Sequence, residues 1–310
     1  SGWLGYSAGS FGTATVSSGT WATSNSLYVG ASGTGTLNVT GGSVASQDGS
    51  LGSIAGGVGT ATVSSGTWAN SGGLMVGASG TGTLNVTGGR VTNASASLGT
   101  SPGSVGIATV SSGTWANSGD LYVANSGNAS LNVTGGRVTN VSCWLGFNAG
   151  GVGTTTVSSG TWASSGNLYV GVFGGTGTLN VTGGSVINTG CYLGAFADSV
   201  GTATVSSGTW ANSGSLTVGG DGTGTLTMSG GLVTVGGMLS KGSYGTINLN
   251  TGGTLQIGTG GNTGSLDTNL TNNGTLVFNR SDSSSCSAII SGTGLIVNAG
   301  TGTTTLTGAT

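Results

Sequence analysis

The sequence predicts an all-β protein, a three-sided parallel β-helix in which the chain winds into a β-solenoid. The main observation is an internal repeat: the heptapeptide Val-Ser-Ser-Gly-Thr-Trp-Ala places tryptophans at positions 21, 68, 115, 162 and 210, with successive spacings of 47, 47, 47 and 48. A fixed period of this kind is typical of solenoids, in which each repeat buries its apolar residues against its neighbours. The composition agrees, because 70 glycines and one proline among 310 residues favour short strands and tight turns.

Each double repeat of the tryptophan period divides into two coils. The step from Val16 to Val39 is 23 and the step from Val39 to Val63 is 24, and together they restore the period of 47. A coil of this length holds about three short strands and three turns, and parallel strands stack about 4.8 Å apart. We therefore expect about 13 coils and a rod about 60 Å long.

The alternation within each strand predicts which side chains face inward, because successive strand residues point to opposite sides. Ala14 and Leu37 occupy one inward row, and Val16 and Val39 occupy the next. A small alanine in one coil then meets a large leucine in the following coil, which keeps a narrow core filled.

The outward positions form a row of threonines, interrupted at Ile107 and Ser130. Flat threonine rows on a solenoid resemble the ice-binding faces of some antifreeze proteins. Threonine is also an ordinary outward strand residue that stacks on itself across strands, so both interpretations stay open. The candidate outward ladder consists of Thr13, Thr36, Thr60, Thr83, Thr154, Thr178, Thr202 and Thr225.

Two stretches of the chain differ in regularity. Residues 1–235 carry the tryptophan repeats, whereas residues 236–310 lack them but keep alternating strands such as Thr246-Ile247-Asn248-Leu249. No linker separates the stretches, so we expect the second to continue the same solenoid within one elongated domain. The chain starts partway through a repeat at Ser1, which favours a processed chain or a segment of a longer one.

The residues that most catalytic and cofactor sites need are scarce in this chain. With no histidine, neither a Ser-His-Asp arrangement nor an imidazole metal site can be built, and no P-loop motif occurs. Only Arg90, Arg137, Lys241 and Arg280 are basic, which argues against nucleic-acid binding. Arg90 and Arg137 lie one double repeat apart in the same row, which is most simply a solvated face. We therefore predict no enzyme, no metal and no cofactor.

Asp198 and Asp221 share a register and are separated along the sequence by 23 residues, the length of one coil. Such a pair could stack one coil apart, at a separation close to that of the two acids in a retaining glycosidase. A calcium ion between them is an alternative, and solvated turn carboxylates are the simplest interpretation. A polysaccharide-degrading enzyme that uses both residues stays a minor hypothesis.

Several Asn-X-Ser/Thr sequences occur, and four of them fall in one outward row. They are candidate glycosylation sites, but they also follow from the recurring Asn-Val-Thr strand, so they can be by-products of the repeat. These four are Asn38, Asn85, Asn132 and Asn180.

The chain contains three cysteines, and their spacing bears on whether a disulfide can form. Cys143 and Cys191 hold equivalent positions two coils apart, about 9–10 Å, which exceeds the roughly 7 Å that a disulfide spans. We predict no bridge between them and leave free buried thiols or an intermolecular link open, as for Cys286.

The tryptophans alternate with valines such as Val44 and Val91, which favours core or corner packing; a stripe that stacks on carbohydrate is the alternative.

The repeat motifs resemble those of autotransporter passenger domains, the exported β-helical stalks of type V secretion. The motifs are Gly-Thr-Ala-Thr-Val-Ser-Ser-Gly-Thr-Trp, Leu-Tyr-Val-Gly and Gly-Thr-Gly-Thr-Leu-Asn-Val-Thr-Gly-Gly, within residues 1–235. The stretch from Ile290 to Gly308 is similar to the passenger-associated strand repeat. The resemblance implies a right-handed β-helix, export, and a role in adhesion, autoaggregation or surface layering. A released or filament-forming version stays an alternative.

These observations favour a structural protein of the bacterial cell surface or extracellular space: a stalk, a self-associating adhesin or a filament subunit. Its partners would be further copies of itself, side by side or end to end, and cell-surface glycans. No stretch is apolar enough for a membrane span. A carbohydrate- or ice-binding module is the alternative function.

Overall fold

A computed structural model describes residues 1–308, in which every regular element is a β-strand and no helix could span a membrane. Residues 309 and 310, the end of the less regular stretch, lie outside the described residues. The strands, in chain order, are β1 Gly2–Leu4, β2 Phe11–Val16, β3 Thr20–Ala22, β4 Leu27–Val29, β5 Thr34–Ser46, β6 Gly49–Leu51, β7 Val58–Asn70, β8 Gly73–Val76, β9 Thr81–Asn93, β10 Ser95–Leu98, β11 Val105–Asn117, β12 Leu121–Val123, β13 Asn128–Asn140, β14 Cys143–Leu145, β15 Val152–Ser164, β16 Leu168–Val170, β17 Thr176–Asn188, β18 Cys191–Leu193, β19 Val200–Asn212, β20 Leu216–Val218, β21 Thr223–Met228, β22 Leu232–Val235, β23 Met238–Lys241, β24 Gly245–Leu249, β25 Thr254–Ile257, β26 Ser265–Asp267, β27 Leu270–Thr271, β28 Thr275–Phe278, β29 Ser284–Cys286, β30 Ile290–Ser291, β31 Leu295–Asn298 and β32 Thr304–Leu306.

Two parallel sheets run along most of the rod, and two-stranded sheets pair β27 with β30 and β29 with β32 near its end. The short strands form a 12-stranded sheet from β1 to β26, and the long strands form a second sheet whose main path joins 13 strands from β2 to β31. From β4 to β19, each coil contributes one short and one long strand, and each strand pairs in parallel with its equivalents in the neighbouring coils. The predicted β-solenoid of about 13 turns with a roughly 23-residue spacing is confirmed.

Two of the three strands expected in each coil are joined into one bent strand. Strands such as β5 and β7 are 13 residues long, and their pairing shifts register after Val39. At this bend Gly66 has a φ of 74°, and a Cβ there would lie 2.1 Å from the Gly42 carbonyl oxygen. The bend therefore depends on glycine and divides the long strand into two sides of the solenoid.

The inward rows predicted from the alternation are buried. Ala61, Leu84, Val63 and Val86 have no exposed surface. Thr155 departs from the pattern, because it occupies the alanine position of its coil and its buried hydroxyl has no hydrogen-bond partner among residues 1–308. The other residues of these two inward rows are apolar, as the sequence predicts.

Buried asparagines near the end of the long strands link one coil to the next. Asn93 donates to Asn117 Oδ1 and accepts from Trp115 Nε1 at 2.9 Å. Asn140 repeats the arrangement, since it donates to Ser164 Oγ at 2.8 Å and accepts from Trp162 Nε1 at 2.8 Å. Each such asparagine thus satisfies two buried polar groups of the following coil.

The first repeat breaks this arrangement because Ser46 stands where later repeats have asparagine. The Ser46 hydroxyl bonds to Asn70 Oδ1 at 2.7 Å, but it is too short to reach the indole of Trp68 as well. Within the described residues, Trp68 Nε1 is consequently buried without a partner. Asn70 Nδ2 is also buried without a partner, whereas the Nδ2 groups of Asn117 and Asn212 donate to backbone carbonyl oxygens.

Replacing Ser46 by Asn should raise the free energy of unfolding by about 1 kcal/mol, because it supplies the missing acceptor to Trp68. Urea unfolding followed by circular dichroism measures the change. Asn140→Ser is the matched control, and it should destabilise by a similar amount. A destabilised Ser46→Asn protein would show that the first repeat is built differently.

The sheets cross residue 235 without a break. β20 pairs with β23, and β22 pairs with β25. Beyond this point the strands are two to five residues long.

Arg280 links neighbouring turns in this less regular stretch. Its guanidinium donates to the carbonyl oxygens of Gly264 and Asn262 at 2.6 and 2.7 Å and pairs with Asp282 at 2.8 Å. The hydrogen bond from Arg280 lowers the pKa of the Asp282 carboxyl.

Candidate binding surfaces

The threonine row lies on the first half of the long strands, where neighbouring side chains partly cover one another. Thr36 pairs with Thr60 and Thr60 with Thr83, while a second stretch runs from Thr154 through Thr178 and Thr202 to Thr225. Thr13 extends the first stretch and is exposed. Between the stretches, Ile107 and Ser130 line a depression of about 300 Å³. The structure therefore presents two threonine stretches, and ice binding stays a prediction.

The four sequon asparagines occupy the next outward row and are half-buried. Asn38 lies between Thr15 and Thr62 of the adjacent coils, and Asn180 lies between Thr156 and Thr204. Asn85 and Asn132 are flanked by threonines in the same way. A glycan attached to one of these asparagines would have to reach the solvent between the threonine side chains of the two adjacent coils. Glycosylation stays a prediction.

Asp198 and Asp221 do come together, as their shared register predicts. With Tyr244 they line one open depression of about 350 Å³. Asp198 is a non-glycine residue with a φ of 62°. Both residues are exposed, and residues 1–308 contain no group of three side chains that could hold a metal ion. A catalytic role of this pair stays a prediction.

The repeated tryptophans cannot serve as a sugar-stacking stripe. Trp68, Trp115, Trp162 and Trp210 are at most 1% exposed. Trp21 is half-buried against the same core. Their row is core packing, and the alternative of a surface stripe at these positions is wrong.

A different set of aromatic side chains lies on the surface, and we call it the aromatic face. On the short-strand sheet, the Trp144 ring is stacked 4.0 Å from that of Tyr169 and 6.2 Å from that of Tyr122. Tyr192 continues the stack at 5.2 Å from Tyr169. The face comprises these four residues and three phenylalanines of the adjoining turns, Phe147, Phe173 and Phe196.

The stack exposes mainly ring edges and tyrosine hydroxyls, because each interior ring covers the face of its neighbour at interplanar angles of 5–8°. Phe173 is nevertheless 48% exposed, and Phe196 is 40% exposed. Burial and the Asp120 carboxylate raise the pKa of the Tyr122 phenol. Contiguous exposed apolar surface of this kind marks interaction sites on soluble proteins.

Sequence reasoning missed the aromatic face. The tyrosines belong to the Leu-Tyr-Val-Gly strand, and the face emerges only when the single outward position of that strand is followed from coil to coil. The same position holds Ser50, Ser97 and Ser240 in other coils. The row also begins with the stacked pair Trp3 and Tyr28, so the signal in the sequence is the run of four aromatic residues from Tyr122 to Tyr192 at this one position.

The cysteines lie where their spacing predicts. Cys143 pairs with Leu168, which pairs with Cys191, so one strand separates the two thiols. All three cysteines are buried and free. Burial raises the pKa of the Cys143 and Cys191 thiols well above the usual range, although a backbone hydrogen bond partly opposes this at each.

This burial predicts a loss of stability at alkaline pH. At alkaline pH the folded protein keeps thiol protons that the unfolded chain releases. The stabilisation linked to these protons is therefore complete below the thiol pKa of the unfolded chain, and it is lost as pH rises through the thiol pKa of the folded protein. Above about pH 8.5, the free energy of unfolding should fall by up to about 1.4 kcal/mol per pH unit for each thiol. Urea unfolding between pH 8 and 10 measures this slope.

The control is a Cys143→Ala, Cys191→Ala double variant, for which Ala96 in the equivalent row provides a precedent. Its stability should depend less on pH over the same range. Equal slopes in the two proteins would contradict the role assigned to the buried thiols.

A segment of 46 residues, 15% of the chain, is 54% identical to the adhesin BmaC autotransporter of Brucella suis biovar 1 (strain 1330). The match spans 1% of that protein. No family model matches the chain, and no solved structure matches it. The similarity and the β-solenoid together fit a passenger-type β-helix. The strand repeat expected from Ile290 to Gly308 stays a prediction.

Proposed function

We propose that this chain is part of a secreted bacterial surface protein and acts as an adhesive, self-associating β-solenoid stalk. Two findings support the proposal: the solenoid fold, and the similarity of one segment to an autotransporter adhesin. The observation that carries it is the aromatic face, which places seven aromatic residues on one side of the rod. The proposal assigns no catalytic role to Asp198 or Asp221.

The mechanism is cumulative, because parallel coils repeat the same surface groups at a spacing of about 4.8 Å. Rows of threonine, asparagine and serine offer hydrogen bonds, and the aromatic face offers apolar contact. The chain carries only four basic and six acidic residues, so little charge repulsion opposes the approach of a second rod. Side-by-side association of stalks, or of filaments built from them, follows from the same surfaces.

Cells that display the protein test the proposal through adherence and autoaggregation. Tyr169→Ser with Tyr192→Ser should lower both, because it removes half of the ring stack. Serine occupies the same position in other coils, so the fold should persist. Thr178→Ser with Thr202→Ser, on another side of the rod, is the matched control; it keeps the hydroxyl groups of the threonine row and should retain both activities. Wild-type cells that adhere and aggregate no more than cells without the protein would refute the proposal.

A further inference from the structure

Three depressions on the second half of the long strands join into one furrow along the rod. Their cavity volumes are about 670, 280 and 470 Å³. The first two share Asn70, Ser71 and Thr92, and the last two share Asn117 and Ser118. The furrow thus extends from the turn at Thr23 to the strand at Ile187 and crosses most of the tryptophan repeats.

Small side chains create the depth of the furrow. Along its length Ala69, Thr92, Ala116, Thr139 and Ala163 occupy one outward row in successive coils. The adjoining turns contribute the hydroxyl groups of serines such as Ser118 and Ser165. A linear molecule can therefore lie across several coils and meet hydrogen-bonding groups at the coil spacing.

Two arginines stand beside this furrow in a single row. Arg90 pairs with Thr114, which pairs with Arg137, so the two positions are two coils apart, about 9–10 Å. Arg90 lines the second depression and Arg137 the third. Both are exposed, and in the described part of the chain neither guanidinium has an ion-pair partner.

Two acidic side chains of the adjoining turns, Asp48 and Asp120, accept hydrogen bonds from the backbone. Asp48 accepts a hydrogen bond from the Gly73 N–H at 2.7 Å, and Asp120 accepts one from the Ser142 N–H at 3.0 Å. Neither lines the furrow. The residues that line the furrow therefore carry two positive charges and no negative one, on a chain whose formal net charge is −2.

We propose that the furrow binds a linear acidic polysaccharide, whose carboxylate or sulfate groups pair with Arg90 and Arg137. Guanidinium groups bind such anions through two parallel hydrogen bonds, and the hydroxyl groups of the turns suit sugar hydroxyls. The inference rests on the proposed adhesive function and names one class of partner for it.

The same furrow suits nucleic acid poorly. Two arginines can neutralise only a few phosphates, and no aromatic residue lines the three depressions to stack on bases. A neutral polysaccharide would leave both guanidinium groups without anionic partners. The charge pattern therefore favours an acidic glycan over both alternatives.

Isothermal titration of the purified chain with polygalacturonate, at fixed salt, tests the proposal. Dextran and double-stranded DNA serve as the neutral and the nucleic-acid probes. Arg90→Gln with Arg137→Gln should weaken polygalacturonate binding by about tenfold or more. Lys241→Gln removes an exposed charge elsewhere and should change affinity much less than the double variant. Ala116→Phe keeps both arginines but fills the furrow between them, and it should also weaken binding.

The proposal is overturned if the wild-type chain does not bind polygalacturonate, or if DNA or dextran binds as tightly. Equal affinities of the double arginine variant and the wild type would overturn it too. Circular dichroism verifies that each variant is folded. If the glycan does not bind but cells that display the protein still adhere and aggregate, only the furrow proposal fails. If those cells do not adhere and aggregate, the proposed adhesive function of the stalk fails.

Discussion

Replacement of Trp162 by Ala should lower the free energy of unfolding by about 3–5 kcal/mol. The indole is 1% exposed and fills the core between neighbouring coils, so its removal leaves a cavity. The change also leaves Asn140 Oδ1 without the hydrogen bond that it accepts from Trp162 Nε1 at 2.8 Å. Urea unfolding measures the total loss, and amide hydrogen exchange shows which coils open, because repeat proteins can unfold in parts.

Two phenylalanine variants separate the cavity from the hydrogen bond. Trp162→Phe removes volume and the bond to Asn140, whereas Trp68→Phe removes volume from a tryptophan whose N–H has no partner within residues 1–308. We therefore expect Trp162→Phe to cost about 1 kcal/mol more than Trp68→Phe. Equal losses would contradict the role of the asparagines in linking the coils.

Gly201→Ala should destabilise the protein by about 3 kcal/mol. A Cβ at this position would lie 2.0 Å from the Val170 carbonyl oxygen and 2.3 Å from the Gly194 nitrogen. Both are backbone atoms, so relief of the clash requires a shift of the neighbouring coil. Thermal and urea unfolding measure the loss.

Gly261→Ala is the matched control, because a Cβ there meets nothing within 4 Å. It should change stability by less than about 0.5 kcal/mol. One coil does carry alanine in the row of Gly201, at Ala129, and there the preceding turn also changes, with Ala124 at a φ of 66°. A Gly201→Ala protein as stable as the wild type would show that the backbone of the neighbouring coil moves at little cost, which would contradict close stacking of the coils.

The repeat made much of the fold predictable. Coil length followed from the spacing of Val16, Val39 and Val63, and the inward rows followed from alternation, which is a local property of strands. The junction of two strands into one bent strand was not predictable in this way. It depends on glycines such as Gly66 that can equally form an ordinary turn.

The candidate surfaces were harder to predict because they depend on which rows become neighbours across the bends. Trp162 looked like a possible surface residue, but its depth depends on the opposing sheet and on the buried acceptor of Asn140. Tyr169 occupies the single outward position of a three-residue strand, which is too short for alternation to assign. The furrow forms because the row of small residues that includes Ala116 lies between the arginine row and the turns. The spacing of residues along the sequence does not predict that these three features are neighbours.

The most direct test of the central claim is the position of the protein on intact bacteria that produce it. Antibody against the folded chain, applied to cells with and without permeabilisation, measures surface exposure, and external protease verifies it. We predict equal labelling of intact and permeabilised cells, and loss of the signal after protease treatment. Labelling that requires permeabilisation and resists protease would contradict a surface stalk, however well the solenoid itself folds.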